Sequence, residues 1–435
     1  MRKWMMDRVA RHGRGLGALF ASNLVGYGGN FLCLLLIVTH CPVDVFAAYT
    51  VAQAVQALAA GWFDAGLGSS IQTLVARGGP ESAGVYRSAS WRWTLATVPS
   101  VLLVLALGSF SLPHWERQPN PFLSPYLLTG FVGVGLIQAR VLLASSLAFA
   151  EGRIDRFCLL QGVASLGRLL LVLLLLWLRG TLAFSSLLLV EAGAASLTWG
   201  VASWAKRPAV DSFSPAETLA ARQRLRDFLL PSMPSVFLGG LASTVTLFGG
   251  SLFAAPAAIA SYGIFQKVGQ LVVFAWGPIN QYVGRHLCVQ SSRTRRGNAE
   301  RRYLLGALAG YVFFAMVMMG IYVVAGRCSQ HYSLLHPLAF ALYLVGLGGG
   351  LAYVSLDTVL ASRGAADHRL AGAFLVAIRT ALVAILRPSG LVLLIALDTF
   401  TLFPVIGYFL YRLARPPLEP EDVRLQECLS PRETK

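Results

Sequence analysis

Apolar runs of about 20 residues recur along the whole chain, each long enough to cross the roughly 30 Å hydrocarbon core of a bilayer. Twelve windows are legible, at residues 16–38, 45–70, 91–111, 122–150, 157–178, 181–204, 228–254, 257–280, 303–325, 336–361, 370–386 and 390–411. In hydrocarbon every backbone N–H and C=O must find a partner within the chain, so such runs fold as helices. The fold class expected is therefore all-α: a polytopic membrane protein with twelve transmembrane helices in two six-helix bundles.

Composition agrees. Of 435 residues, 56% are hydrophobic and only 13% charged, about half the charge of a soluble domain. That excludes a disordered chain and a disulfide scaffold, and argues against a water-soluble enzyme. The net charge of +16 would suggest nucleic acid in a soluble protein. Here it is a topology signal, and no nucleic acid partner is expected. Of the 36 Lys and Arg, 28 fall on one set of loops and tails, and only Arg117, Arg179, Arg327 and Arg387 on the other. The positive-inside rule then places both termini in the cytoplasm. Residues 1–15 carry Arg2, Lys3, Arg8, Arg11 and Arg14 before an apolar stretch too long for a cleavable leader, so this start reads as a signal anchor.

The chain repeats itself. Residues 47–58 (AAYTVAQAVQAL) match 260–271 (ASYGIFQKVGQL) at an offset of 213, with Ala47/Ala260, Tyr49/Tyr262, Gln53/Gln266, Val55/Val268 and Leu58/Leu271 identical. The second and eighth spans thus correspond. An even number of helices per half makes this a parallel repeat about an axis along the membrane normal. The domains expected are a bundle over 1–205, a cytoplasmic linker over 206–227, a second bundle over 228–411 and a cytoplasmic tail over 412–435.

Eight charges fall inside the spans: Arg140, Arg168, Lys267 and Arg379, with Asp64, Glu191, Asp357 and Asp398. A charge at the bilayer centre costs about 2.5–3.5 kcal/mol on insertion scales, so these side chains should face a polar interior. One reading is a cationic cavity between the halves, in which the four bases bind phosphate. The acids would then be candidates for ion coupling or for pairing with the bases. The other reading is self-neutralisation, since four bases and four acids cancel. Gln53 and Gln266 are candidates to line the cleft, or to form interhelical hydrogen bonds. Tyr49 and Tyr262 are placed near the outer boundary, where Tyr commonly anchors a span.

No Walker A loop, GxSxG or HExxH pattern occurs, the outward loops are short, and the six cysteines form no metal-binding spacing. Neither an enzyme nor a cofactor or metal is expected. A membrane glycosyltransferase or polymerase is the least favoured alternative.

The residues RHGRGLGALFASNL, VFAAYTVAQ and WFDAGLGSSIQTLVAR over the first two spans resemble the polysaccharide-biosynthesis flippases. These are the O-antigen and exopolysaccharide translocases of the multidrug/oligosaccharidyl-lipid/polysaccharide exporter superfamily. The family's Asp-x-Gly-Leu is present as Asp64-Ala65-Gly66-Leu67. Its Phe-Gly-x-Tyr reads Phe46-Ala47-Ala48-Tyr49, with the Gly replaced. AEGRIDRFCLLQ, RDFLLPSMPSVF and IASYGIFQKVGQLV extend the likeness over nearly the whole chain, with Tyr262 and Lys267 on the family's Tyr and basic positions. The resemblance implies an alternating-access transporter of the bacterial inner membrane. It would flip a polyprenyl-pyrophosphate-linked oligosaccharide for lipopolysaccharide or exopolysaccharide assembly. Its expected partners are that substrate, membrane lipids, a polysaccharide polymerase and glycosyltransferases. A cation-coupled multidrug exporter of the same superfamily is the alternative.

Overall fold

The computed structural model describes residues 25–26, 28–78, 82–90, 125–204, 214–230, 233–289, 293–328, 336–362 and 370–414. The described residues are helical apart from short turns such as those after His40, Ala150, Arg179 and Leu386. In chain order the helices are α1 (Gly28–His40), α2 (Val43–Asp64), α3 (Leu67–Gly78), α4 (residues 83–90), α5 (Pro125–Ala150), α6 (Ile154–Arg179) and α7 (Phe184–Trp204). Then follow α8 (Pro215–Leu229), α9 (Met233–Phe253), α10 (Pro256–Val289), α11 (Arg293–Cys328), α12 (Pro337–Ser362), α13 (Leu370–Leu386) and α14 (Leu391–Ala414). Eight of them are long and apolar enough to cross a membrane; α1 and α13 are shorter apolar helices, and α10 carries the eighth expected span. The third expected span, 91–111, lies outside the described residues. The architecture is the all-α, two-bundle membrane fold that the apolar runs and the repeat predict.

The surface agrees with a lipid environment. Leu170, Trp177, Leu178, Phe313, Met316 and Ile385 all stand exposed on outward helix faces, a distribution that water would penalise at about 25 cal/mol per Å².

The second window differs from expectation. It does not run to residue 70 as one helix. Ala65 and Gly66 both take positive φ (50° and 78°), which ends α2. The Asp64 carboxylate then accepts the Gly68 N–H at 3.2 Å and caps the start of α3. An Asp followed by a left-handed pair is a helix stop and a helix start in one short segment.

The two halves meet along α2. Near residues 47–51 it packs on α9 and α10 through Ala47, Val51, Ser251, Ala254 and Ile259, which line a shallow surface crevice. A Cβ on Gly263 would lie 2.5 Å from the Thr50 hydroxyl, so close approach there requires glycine. At the other end of α2, Trp62 meets Phe237 edge-on with centroids 5.9 Å apart. One apolar core containing Ile37, Phe46, Val51, Leu247, Ile259 and Leu394 runs through both halves.

The segment expected as linker holds an amphipathic helix. α8 buries Ala221, Leu225 and Leu229, which join Leu67, Ile71 and Val75 of α3 in a second core. Its start is a capping box: Ser214 Oγ accepts the Glu217 N–H at 3.2 Å, and Glu217 Oε2 accepts the Ser214 N–H at 2.8 Å. Those bonds, from the Ser214 backbone first and its side chain second, hold the Glu217 carboxyl below its ordinary range. A depressed carboxylate stabilises the folded form above its unfolded pKa, and that contribution is lost as pH falls through the lowered value. Protection of the amides over residues 214–218, taken relative to intrinsic exchange at each pH, is therefore expected to fall on acidification in the wild type. A Glu217→Ala variant should exchange fast at neutral pH and show little further change.

Candidate functional site

Two polar clusters sit at mid-helix depth, one in each half. The first centres on Glu191 of α7, whose side chain is 1% exposed. Arg168 of α6 meets it with Nη2 2.5 Å from Oε2. Helix α2 supplies three groups on one face, at positions i, i+4 and i+7. The Tyr49 hydroxyl donates to Glu191 Oε1 at 2.5 Å. Gln53 Nε2 donates to the same oxygen at 3.0 Å. Gln56 Nε2 reaches Oε2 at 3.5 Å and Gln138 Oε1 of α5 at 3.0 Å. Asn30 of α1 accepts from Arg168 Nη1 at 3.2 Å. Phe131 fixes the frame: it lies edge-on to Tyr49 and stacks on Phe184 of α7, joining α2, α5 and α7.

The second cluster centres on Asp398 of α14. Thr246 of α9 donates to Oδ1 at 2.6 Å, and the Tyr262 hydroxyl of α10 donates to Oδ2. Gln266 Nε2 donates to the Tyr262 hydroxyl at 3.0 Å. Arg379 of α13 places Nη1 3.3 Å from Asp398 Oδ1. Its Nε donates to Thr401 at 2.9 Å, Nη1 also to the Ala242 carbonyl, and Nη2 to the Asp398 carbonyl at 3.1 Å.

The clusters are copies of one design. Each takes a Tyr and a Gln four residues apart from the helix α2 or α10, an Arg from α6 or α13, and an acid from α7 or α14. The copies differ in what they present. In the first, the acid is enclosed and the Arg168 side chain is 24% exposed. In the second the exposures invert, with Asp398 at 25% and Arg379 at 7%. Every nitrogen of Arg379 donates to the protein. By contrast, Arg168 Nε and Gln56 Oε1 are buried without a hydrogen-bond partner among the described residues.

Lys267 adds to the first cluster from the opposite half. It sits half-buried on α10, one residue beyond Gln266, within charge–charge range of both Arg168 and Glu191. Among the described residues it forms no hydrogen bond or ion pair of its own. Two cations therefore share one buried carboxylate.

The structure thus brings together Arg168, Lys267, Glu191 and Gln53, and separately Arg379, Asp398 and Gln266. Arg140 on α5, Asp64 and Asp357 belong to neither group. Asp64 caps α3; Asp357 lies near Tyr303 and Tyr353. Tyr49 and Tyr262 are not boundary anchors: each is 2% exposed, with its hydroxyl on a carboxylate. Their repeated Tyr-x-x-x-Gln spacing was the signal for a shared polar face.

Breaking a buried pair by removing one partner costs about 3–5 kcal/mol, because a charge is left uncompensated. Arg379→Gln should fall in that range, since it also strips the Ala242 carbonyl and Thr401 of a donor. Arg168→Gln should cost less, because a second cation, Lys267, still faces Glu191, while hydroxyl and amide donors remain on both acids alike. Thermal unfolding of the purified variants in detergent checks the order.

No family model matches the chain, and no curated protein matches it. Solved structures do. The eukaryotic MATE transporter AtDTX14 superposes with a TM-score of 0.66 at 12% identity, covering 94% of this chain and 97% of that one. A variant of the Vibrio cholerae MATE transporter VcmN gives 0.65 at 14% identity, covering 92% and 95%. A MOP superfamily transporter from Pyrococcus furiosus, for which reversed polarity of the binding pocket suggests a different function, gives 0.61 at 13% identity, covering 92% and 95%. The chain therefore has the fold of MATE transporters of the MOP superfamily.

Proposed function

We propose that this protein is an alternating-access transporter that flips a polyprenyl-pyrophosphate-linked oligosaccharide across the bacterial inner membrane for surface polysaccharide assembly. The observation that carries this reading is Lys267, which stands beside the Arg168–Glu191 pair with no partner of its own among the described residues. The three groups sum to one positive charge at mid-membrane depth, and an anion is the ligand that neutralises it. A partly exposed guanidinium and an ammonium with three donors suit a phosphate oxygen cluster. Glu191 keeps Arg168 aimed, and Gln53, half-buried on the same face of α2, is the neighbouring amide that a sugar would meet. Fold likeness alone assigns no cargo. The pocket polarity reported for the Pyrococcus furiosus neighbour supports a fold that hosts pockets of either sign. In this scheme both termini lie in the cytoplasm, where glycosyltransferases finish the substrate, and a polymerase receives it on the far side.

A second reading, a cation-coupled multidrug exporter, is favoured by Asp398, whose carboxylate is the exposed member of its pair. One genetic experiment separates the two. Deleting the gene should leave lipid-linked sugar on the cytoplasmic leaflet, and the wild-type gene should clear it. A contact to a charged group is worth about 1.5–3 kcal/mol, so Lys267→Gln should slow clearance by about 10-fold or more, and Lys267→Arg should retain most of it. Unchanged glycan export together with altered drug susceptibility would overturn the flippase reading in favour of the exporter.

A further inference from the structure

We propose that a cavity at the basic-loop end of the N-terminal half binds an anionic glycerophospholipid from the surrounding leaflet. It is distinct from the mid-membrane clusters and does not depend on the transport reading. The cavity is a cleft of about 450 Å³ between α4, α5, α6 and α7, part of it open to the outside. Its polar wall is Arg87, Glu151 and Arg156; its apolar wall includes Leu147, Leu159 and Leu160. Arg87 donates to Glu151, so those two charges cancel. Arg156 remains, half-buried at the start of α6, with no hydrogen bond or ion pair among the described residues. Arg153 and Asp155 both lie within charge–charge range of Arg156 and offset one another, so the site keeps one net positive charge.

The apolar wall reaches the molecular surface. Leu159 is 51% exposed, and Trp204, three residues beyond the lining residue Val201, is 85% exposed. A bare Trp at a helix end marks the depth where head groups meet acyl chains. The cavity thus opens sideways at that depth, with its charge toward the loops and its leucines toward hydrocarbon. Basic pockets between transmembrane helices at such an end hold acidic lipid head groups.

Charge decides the occupant. One anionic phosphodiester neutralises Arg156, and its first acyl carbons cover the leucines. A zwitterionic lipid brings its own ammonium and gains nothing from the arginine. Inorganic phosphate matches the charge but leaves the leucines uncovered.

Purified full-length protein in an uncharged detergent tests this. Phosphatidylglycerol is expected to raise the thermal midpoint by several degrees, with phosphatidylcholine and inorganic phosphate giving little shift. Arg156→Gln should lose at least half of the phosphatidylglycerol shift. In native mass spectrometry one phosphatidylglycerol should stay on the wild type and on Lys267→Gln, and leave Arg156→Gln. An equal shift with phosphatidylcholine, an equal shift with phosphate alone, or an unchanged response of Arg156→Gln overturns the proposal. Loss of the lipid from Lys267→Gln would place it at the mid-membrane cluster and overturn the proposal as well.

Discussion

A carboxylate at the middle of a bilayer has no solvent to rely on, and the fold is organised around giving two of them company. Glu191 and Asp398 each draw one arginine from the preceding helix and one tyrosine from across the bundle. The desolvation cost of such a pair is recovered only when its remaining donors and acceptors are filled. That requirement fixes the rotation of α2, α6 and α7 about their axes, and of α10, α13 and α14 in the other half. Apolar packing alone would leave those rotations weakly determined, because these helices are hydrophobic on nearly every face.

Duplication supplied the two clusters, and small changes of side chain set them apart. Asp398 is one methylene shorter than Glu191. Arg379 leans into the backbone, reaching the carbonyls of Ala242 and Asp398 as well as the carboxylate. It thereby becomes a bolt between α9, α13 and α14. Arg168 reaches a longer acid and a single amide, so one of its nitrogens is left over. The same pair of charges serves as a fastening in one half and as a presented cation in the other.

Much of this was legible from residues alone. The apolar runs and the repeat predicted the architecture, because bilayer thickness and backbone satisfaction leave few alternatives. The eight membrane charges were visible too, but not their partners. Arg168 and Glu191 lie on opposite sides of a hairpin, and their contact depends on two helical phases that no periodicity in such apolar segments reveals. Arg168 and Arg379 are 211 residues apart, while Glu191 and Asp398 are 207 apart, so a search at one fixed offset aligns neither pair with the tyrosines. Two local signals were present and went unread: Asp64-Ala65-Gly66 as a stop followed by a cap, and Ser214-Pro215-Ala216-Glu217 as a capping box inside the linker.

Lys267 belongs to one bundle, and the charges it attends belong to the other. The electric potential at the first cluster is therefore a function of the angle between the two bodies. With the halves together at this level, the site counts two cations against one anion. Rotation that carries α10 away leaves a neutral Arg168–Glu191 pair behind. A site built this way needs no titration to alternate between strong and weak attraction for a negative guest, because the distance between the halves itself sets the net charge.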